Sequence, residues 1–312
     1  MIAIHDNTEL AKFGFDGAAF RRYTSDKIGG YEWHGPCPRC PGSINKMVVS
    51  NGFYWCRDYK AHSGRLDRMG SVEITEEDKR KAWEAGQKAE REKAEKRNRN
   101  IAYINRNRLW EKFHNNIWSN LGVIDHLAKD GVTTSMIAQY QIGYDPQFRV
   151  WDWDKKKAVY VPAISWPIFD SNSGCLNIRM RLLDNYYART KGKYLPYRLY
   201  LPQAFFPAFD PYDHWCVIVE GEKKAAVMRR FGFPSAGLFG VNNFSKEWIP
   251  WFRNQFRQLF VMFDGDNPGV VATAKRLAKQ LGAKPVFPPG KPDDLLVAGH
   301  LTTPEMRCLL EA

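Results

Sequence analysis

Two stretches in the C-terminal half set an unbroken apolar run against a polar, helix-forming one. "WCVIVEGEKKAAVM" starts at Trp215 and changes character at Gly221; "QLFVMFDGDNPGVVATAKRLAKQLG", from Gln258, repeats the design. Runs this short and this apolar predict strands buried on both faces. Shorter runs in FPSAGLFG and AKPVFPP continue a strand, helix, strand rhythm, which predicts a parallel sheet with right-handed crossovers. Asn267 followed by Pro268 marks a helix start.

Upstream the pattern differs. Residues 71 to 118 are highly charged, with acid-before-base pairs at helical spacing: Glu76/Arg80, Glu77/Lys81, Glu84/Lys88 and Glu92/Lys96. One long helix is expected, opened by Thr75 and solvated over its first half, each pair adding a few tenths of a kcal/mol. From Ile101 apolar residues return at helical spacing, so its far end docks onto a core. Residues 1 to 70 are rich in turn formers, and INKMVVSNGFYWC reads as a hairpin about Asn51-Gly52. The chain thus divides into 1–70, 71–118, 119–212 and 213–312. The expected fold class is α/β, a parallel sheet with flanking helices, preceded by a mixed α+β subdomain and a small β domain.

The 312 residues carry a net charge of +12 with a pI near 9.4, which favours polyanionic partners. No run approaches the roughly 18 apolar residues of a membrane span, and the N-terminus lacks a basic stretch followed by an apolar one. No membrane role is expected, and the expected location is cytoplasmic. In such a location the six cysteines suggest a metal cluster plus core thiols.

Three of them form that cluster. Zinc takes about four N or S donors in a tetrahedron, most simply from two tight turns. Cys37-Pro-Arg-Cys40 is one turn, and the hairpin carries Cys56 back beside it. His62 on the opposite turn is the expected fourth donor, with His34 as the competing one. The surrounding aromatics, Trp33, Phe53, Tyr54 and Trp55, are candidates for a base-reading surface, with Trp55 equally suited to a core role.

The acids make a second constellation. Glu220 ends one apolar run, and Asp264 and Asp266 follow another. In open parallel sheets ligands collect beyond the carboxyl ends of strands, where all three would stand. Such acids bind one or two Mg²⁺ ions, about 3.5 to 4 Å apart if two, that align a nucleophilic oxygen with a phosphate. Asp293 or Asp294 would add a further carboxylate.

VEGEKKA (219–225), FDGDNPG (263–269) and KPDDLL (291–296), in that order, resemble the TOPRIM fold of bacterial-type primases, topoisomerases and some nucleases. IDHLAKDGVTTSMIAQYQIGYDP resembles the opening of the polymerase domain of DnaG-like primases. VPAISWPIFDSNSGCLNIRMRLLD and KYLPYRLYLPQAFF resemble the basic region before TOPRIM, and the cysteine cluster the family's zinc ribbon. Glu222-Lys223-Lys224 after the glutamate is closer to phage and mobile-element forms.

The resemblance implies a DNA primase that makes short RNA primers on single-stranded DNA from NTPs. It implies structural Zn²⁺ in residues 1–70, a linker over 71–118, the basic motif in 119–212 and TOPRIM in 213–312. Glu220, Asp264 and Asp266 would be catalytic through Mg²⁺ or Mn²⁺, with Asp293 auxiliary. Arg179, Arg181, Lys193, Lys223 and Lys224 would bind nucleotide or template, and any replicative helicase would be a separate partner. A metal-dependent TOPRIM nuclease and a non-catalytic single-strand-binding module are the alternatives.

Overall fold

The computed structural model describes residues 6–13, 15–25, 30–37, 40, 47–50, 53–57, 64–65, 76–170, 172–202, 204–207, 213–265 and 267–311. The chain forms two compact units, Met1–Ala94 and Glu95–Ala312. Helix α2 (Glu76–Arg106) belongs to both.

After a short helix α1 (Asn7–Ala11), the first unit holds a five-stranded antiparallel sheet of β1 (Arg21–Ser25), β2 (Gly30–Gly35), β3 (Met47–Ser50), β4 (Phe53–Cys56) and β5 (Gly64–Arg65), in that order. The expected hairpin is β3 and β4, with Met47 opposite Cys56; its Asn51-Gly52 turn lies outside the described residues. The core is small: Leu10, Phe15, Phe20, Trp33, Met47 and Val49 pack with the three clustered cysteines. Trp33 is therefore core and not a base-reading surface; its strand neighbours leave it buried. Trp55 is half-buried and Phe53 exposed.

The charged segment is two helices, not one. Helix α2 ends at Arg106, and α3 (Leu109–Trp118) begins after Arg108, whose φ of 44° takes the chain through the left-handed region and breaks the helix. Thr75, the expected cap, lies outside the described residues. The apolar stripe does dock: Ile104, Leu109, Trp110 and Phe113 enter a buried cluster.

The second unit continues with α4 (Leu121–Lys129) and α5 (Thr134–Gln139), then an antiparallel sheet in the order β6 (Gly143–Asp152), β7 (Lys157–Phe169), β8 (Cys175–Leu182) and β9 (Tyr194–Pro196), with α6 (Asn185–Lys191) before β9. The second sheet is wholly parallel, in the order β11 (Ser235–Leu238), β10 (Trp215–Glu220), β12 (Gln258–Met262) and β13 (Lys284–Pro285). Helices α7 (Glu222–Arg230), α8 (Trp248–Gln255), α9 (Pro268–Leu281), α10 (Pro292–Val297) and α11 (Thr303–Glu311) complete it.

Alternation along the strands sorts the cores. In the parallel sheet Cys216, Ile218 and Val261 face a cluster with α8 and α9, while Val217, Val219, Phe260 and Met262 face the opposite way. That opposite cluster also takes Ile164, Trp166 and Ile168 of β7, so one face of the antiparallel sheet and one of the parallel sheet share a core with α4, α5 and α7. The intervening residues of β7, Val161 and Ala163, turn to a third cluster with α3. Period-two patterning places each set on its face.

Two glycines shape the turn from β10 into α7. Gly221 has φ +88°, open to glycine without strain. A Cβ on Gly237 would lie 2.4 Å from the Gly221 carbonyl oxygen, so β11 approaches this turn at a distance only glycine permits. No helix among the described residues is long and apolar enough to cross a membrane.

Candidate active site

The parallel strands deliver acids at their carboxyl ends. Glu220 is the last residue of β10, Asp264 follows β12 by two positions, and Asp293 lies in the first turn of α10 beyond β13. Asp266 lies outside the described residues. Glu220, Asp264 and Asp293 line one cavity of about 390 Å³. Arg179 of β8, Tyr194 of β9 and Lys193 line the same cavity, contributed by the antiparallel sheet. Lys223, Lys224 and Lys291 line it too.

Ion pairs already order much of this charge. Arg179 Nε donates to Glu222 Oε1 at 3.1 Å, and the Glu222 side chain is 1% exposed. Burial raises the Glu222 pKa, and the Arg179 charge works against that rise. The guanidinium of Arg179 also lies 4.6 Å from the Phe239 ring centroid and 5.9 Å from that of Tyr194, two cation–π contacts at the cavity wall.

Lys223 Nζ lies 2.8 Å from Asp293 Oδ2 and 3.2 Å from Asp294 Oδ1. Burial works to lower its pKa, and Asp293, Asp130 and Asp294 outweigh it, so the net shift is upward. Lys224 pairs with Asp264 across the turn. Asp293 is almost wholly buried, and its Oδ1 has no hydrogen-bond partner. An unpaired, buried carboxylate oxygen at the cavity wall suits a cation.

Arg181 does not line the cavity. It projects from the same face of β8 as Arg179, but its guanidinium pairs with Asp130 at the end of α4 and is buried. Burial raises the Asp130 pKa, and the hydrogen bond and charge of Arg181 bring it below the usual carboxylate range. Asp130 also lies 4.0 Å from Lys223. It thus links Arg181 to Lys223 of the cavity wall, a contact no sequence signal marked. Lys193 has its pKa lowered by burial and by Arg181, which leaves its ammonium ready to gain from an anion. Lys291 was also missed: it precedes Pro292 in a segment read for its acids alone. It lines a second recess of about 240 Å³ with Asp264, Gly265 and Phe287.

In the first unit, the Sγ atoms of Cys37, Cys40 and Cys56 all lie within 4.8 Å of one another, and all three are buried. Cys40 N–H donates to Cys37 O at 3.0 Å, which closes the C-x-x-C turn, and β4 delivers Cys56, 3.6 Å from Cys40 in sulfur separation. Burial and the neighbouring thiols push the Cys40 pKa well up. A metal ion reverses that preference by favouring thiolates, so the donor set fits a soft cation. His34 is engaged elsewhere: Nε2 lies 2.9 Å from Glu32 Oε2 and Nδ1 3.1 Å from an Arg57 guanidinium nitrogen. His62 lies outside the described residues.

No family model matches the chain, and no curated protein matches it. Solved structures do. The chain is similar to the zinc-binding and RNA polymerase domains of the Aquifex aeolicus primase, at 13% identity, TM-score 0.53, over 98% of this chain and 83% of that one. It is similar to a DnaG primase catalytic domain bound to ssDNA, at 16% identity, TM-score 0.52, over 68% and 81%. It is also similar to the E. coli primase catalytic core, at 15% identity, TM-score 0.50, over 65% and 77%. The chain has the fold of these DnaG-type primase domains.

Proposed function

We propose that the chain is a DNA primase that joins NTPs on a single-stranded DNA template. The observation that carries this reading is a single cavity in which strand-end acids of the parallel sheet meet cations of the antiparallel sheet. In this reading residues 213–312 are the TOPRIM catalytic subdomain, 119–212 the subdomain with the basic motif, 71–118 the linker and 1–70 a zinc ribbon.

Primer synthesis bonds a 3′-oxygen to the α-phosphorus of an NTP and breaks the bond to the β-phosphate oxygen, releasing pyrophosphate. Glu220, Asp264, Asp266 and Asp293 are the residues that would hold Mg²⁺ or Mn²⁺. When bound, the metal neutralises charge on the transferring phosphoryl group and lowers the pKa of the attacking hydroxyl. Arg179, in contact with Phe239 and Tyr194, presents its remaining N–H groups to phosphate oxygens. Lys193 and Lys291 offer point charges for the leaving pyrophosphate, and Lys223 pairs with Asp293 and Asp294. Lys224 balances the charge of Asp264, one of the carboxylates that would hold the metal. Arg181 acts through Asp130 as a positioning residue.

The test is incubation of the purified protein with single-stranded DNA, labelled NTPs and Mg²⁺ or Mn²⁺. Short metal-dependent oligomers, lost in Asp264→Ala, are expected. Strand scission without NTPs would instead establish a nuclease, and binding with neither product a non-catalytic module. For the first unit, about one zinc per chain is expected, lost in Cys56→Ala and retained in His34→Ala. Retention in His62→Ala would refute the assignment of His62 as fourth ligand.

A further inference from the structure

The β6–β7 hairpin carries aromatic side chains that no core uses. Trp153 is 72% exposed, Tyr160 64% and Trp151 42%. The register puts four of the tip's residues on one face: Arg149 stands opposite Tyr160, and Trp151 opposite Ala158. Opposed residues and those two apart share a side, so Arg149, Trp151, Ala158 and Tyr160 form one outward surface. Trp153 adjoins it, its ring centroid 6.1 Å from that of Trp151. The alternate residues, Phe148, Val150 and Val161, are buried on the reverse face. Orientation of the rings toward solvent is therefore dictated by the same alternation that builds the core.

The tip is also firmly made. Asp152 is 1% exposed; its Oδ1 accepts the N–H of Asp154 and of Lys155 at 3.1 Å each, and its Oδ2 accepts the Tyr187 hydroxyl at 2.8 Å. Lys155 Nζ donates to that hydroxyl at 3.2 Å. A turn locked to α6 in this way holds exposed tryptophans in place before anything binds, which removes ordering cost from the binding event.

Charge selects the occupant. Arg149 stands opposite Tyr160 on this face and Lys156 lies in the turn between the strands; neither makes an ion pair among the described residues. Rings beside cations, with Ala158 and Pro162 as small aliphatic neighbours on this face, make a poor dry protein interface and a good stacking surface for unpaired bases with their phosphates. Further along β7 the same side enters the core: Ile164 and Trp166 are wholly buried, and Trp166 pairs with the cavity-lining Arg179. From Tyr160 to Trp166 is six residues, about 20 Å of strand, on the order of a few nucleotides.

We propose that the outward face of the β6–β7 tip, Trp151, Trp153 and Tyr160 with Arg149 and the turn residue Lys156, is a stacking platform for single-stranded DNA outside the catalytic cavity. The platform rests on the primase reading only for the identity of the strand it takes. Binding there requires neither metal nor NTP.

The experiment measures polarisation of a labelled thymidine oligonucleotide with the full chain, without divalent metal or NTP. Trp151→Ala and Trp153→Ala are each expected to weaken binding by about 5- to 150-fold, and Trp151→Phe to restore much of it. Arg149→Ala with Lys156→Ala is expected to flatten the salt dependence, by about 0.7 in log–log slope per lost phosphate contact. Photocrosslinking of a bromouridine-containing strand is expected to mark residues 149–160. Unchanged affinity in both tryptophan variants overturns the proposal, as does a self-association that these variants abolish while DNA affinity stays. Circular dichroism of each variant checks folding, which exposed side chains leave intact. Failure here with primer synthesis intact refutes the platform alone; loss of binding in a protein that makes no primers refutes the primase reading alone.

Discussion

The two sheets of the second unit each have four strands and contribute to one cavity in opposite ways. The parallel sheet keeps its interior apolar and spends chemistry only past its strand ends, where Glu220, Asp264 and Asp293 stand. The antiparallel sheet carries chemistry within its strands: Arg179, Arg181 and Tyr194 project from a face whose other positions are Ile164 and Trp166. A parallel strand covered on both sides has no face to offer, so its acids must wait for the chain to emerge. An antiparallel strand with one partly open face presents cations along its length. Acids fixed in loops and cations fixed in a sheet then meet with little freedom to rearrange.

The most severe break in this arrangement is removal of one half of the joint between the sheets. Glu222→Ala leaves Arg179 without its buried counter-charge and is expected to cost about 3 to 5 kcal/mol, read as a fall in the urea midpoint. The double change Arg179→Met with Glu222→Met is expected to recover most of that stability while abolishing synthesis. Full recovery of synthesis would show that Arg179 serves packing only.

A smaller effect follows from Lys224. Its ammonium pairs with the carboxylate that a metal would take. Lys224→Ala is therefore expected to tighten Mn²⁺ binding by about tenfold, since removing a nearby like charge strengthens a cation site. Paramagnetic titration of free Mn²⁺ reads this without any turnover. Weaker binding in the variant would make Lys224 a support for the ligand set and not its competitor.

The smallest effect concerns pH at the hairpin tip. Hydrogen bonds from the Lys155 N–H and the Tyr187 hydroxyl hold the Asp152 pKa down at about 2, well below the usual carboxylate range. A depressed carboxylate pKa contributes stability above 3.8 that is lost as pH falls through about 2. The amide resonances of Asp154 and Lys155 are expected to shift together with a midpoint near pH 2, and Asp152→Asn is expected to abolish that titration. A midpoint near 4 would mean that the tip is not latched.

The same contrast decides what the sequence discloses. Strand-end acids are legible because an apolar run, an acid and a glycine are adjacent in the chain; so is the α9 start, where Asn267 Oδ1 accepts the Gly269 N–H at 2.9 Å behind Pro268. Three clustered cysteines were legible from spacing. Partnerships across sheets were not. Arg179 and Glu222 are 43 residues apart, Arg181 and Asp130 51, and only register and packing bring them together. Arg181 looked equivalent to Arg179 because alternation gives both the same face; the end of α4 then claims one of them. The break at Arg108 was hidden too, since a left-handed residue that is not glycine leaves no compositional mark.

The approach of Gly237 to the Gly221 carbonyl carries a consequence for mutational surveys. Neither glycine owns a functional group, yet any side chain at 237 must displace the carbonyl of Gly221, the residue next to Glu220. Substitution there moves the first acid of the cavity by displacing backbone, while the two neighbouring strands keep their apolar content. In a saturation screen scored on primer synthesis, position 237 would rank beside the carboxylates, and in one scored on abundance it would rank well below them. A disparity between the two scores would locate the active site from a residue with no chemistry of its own.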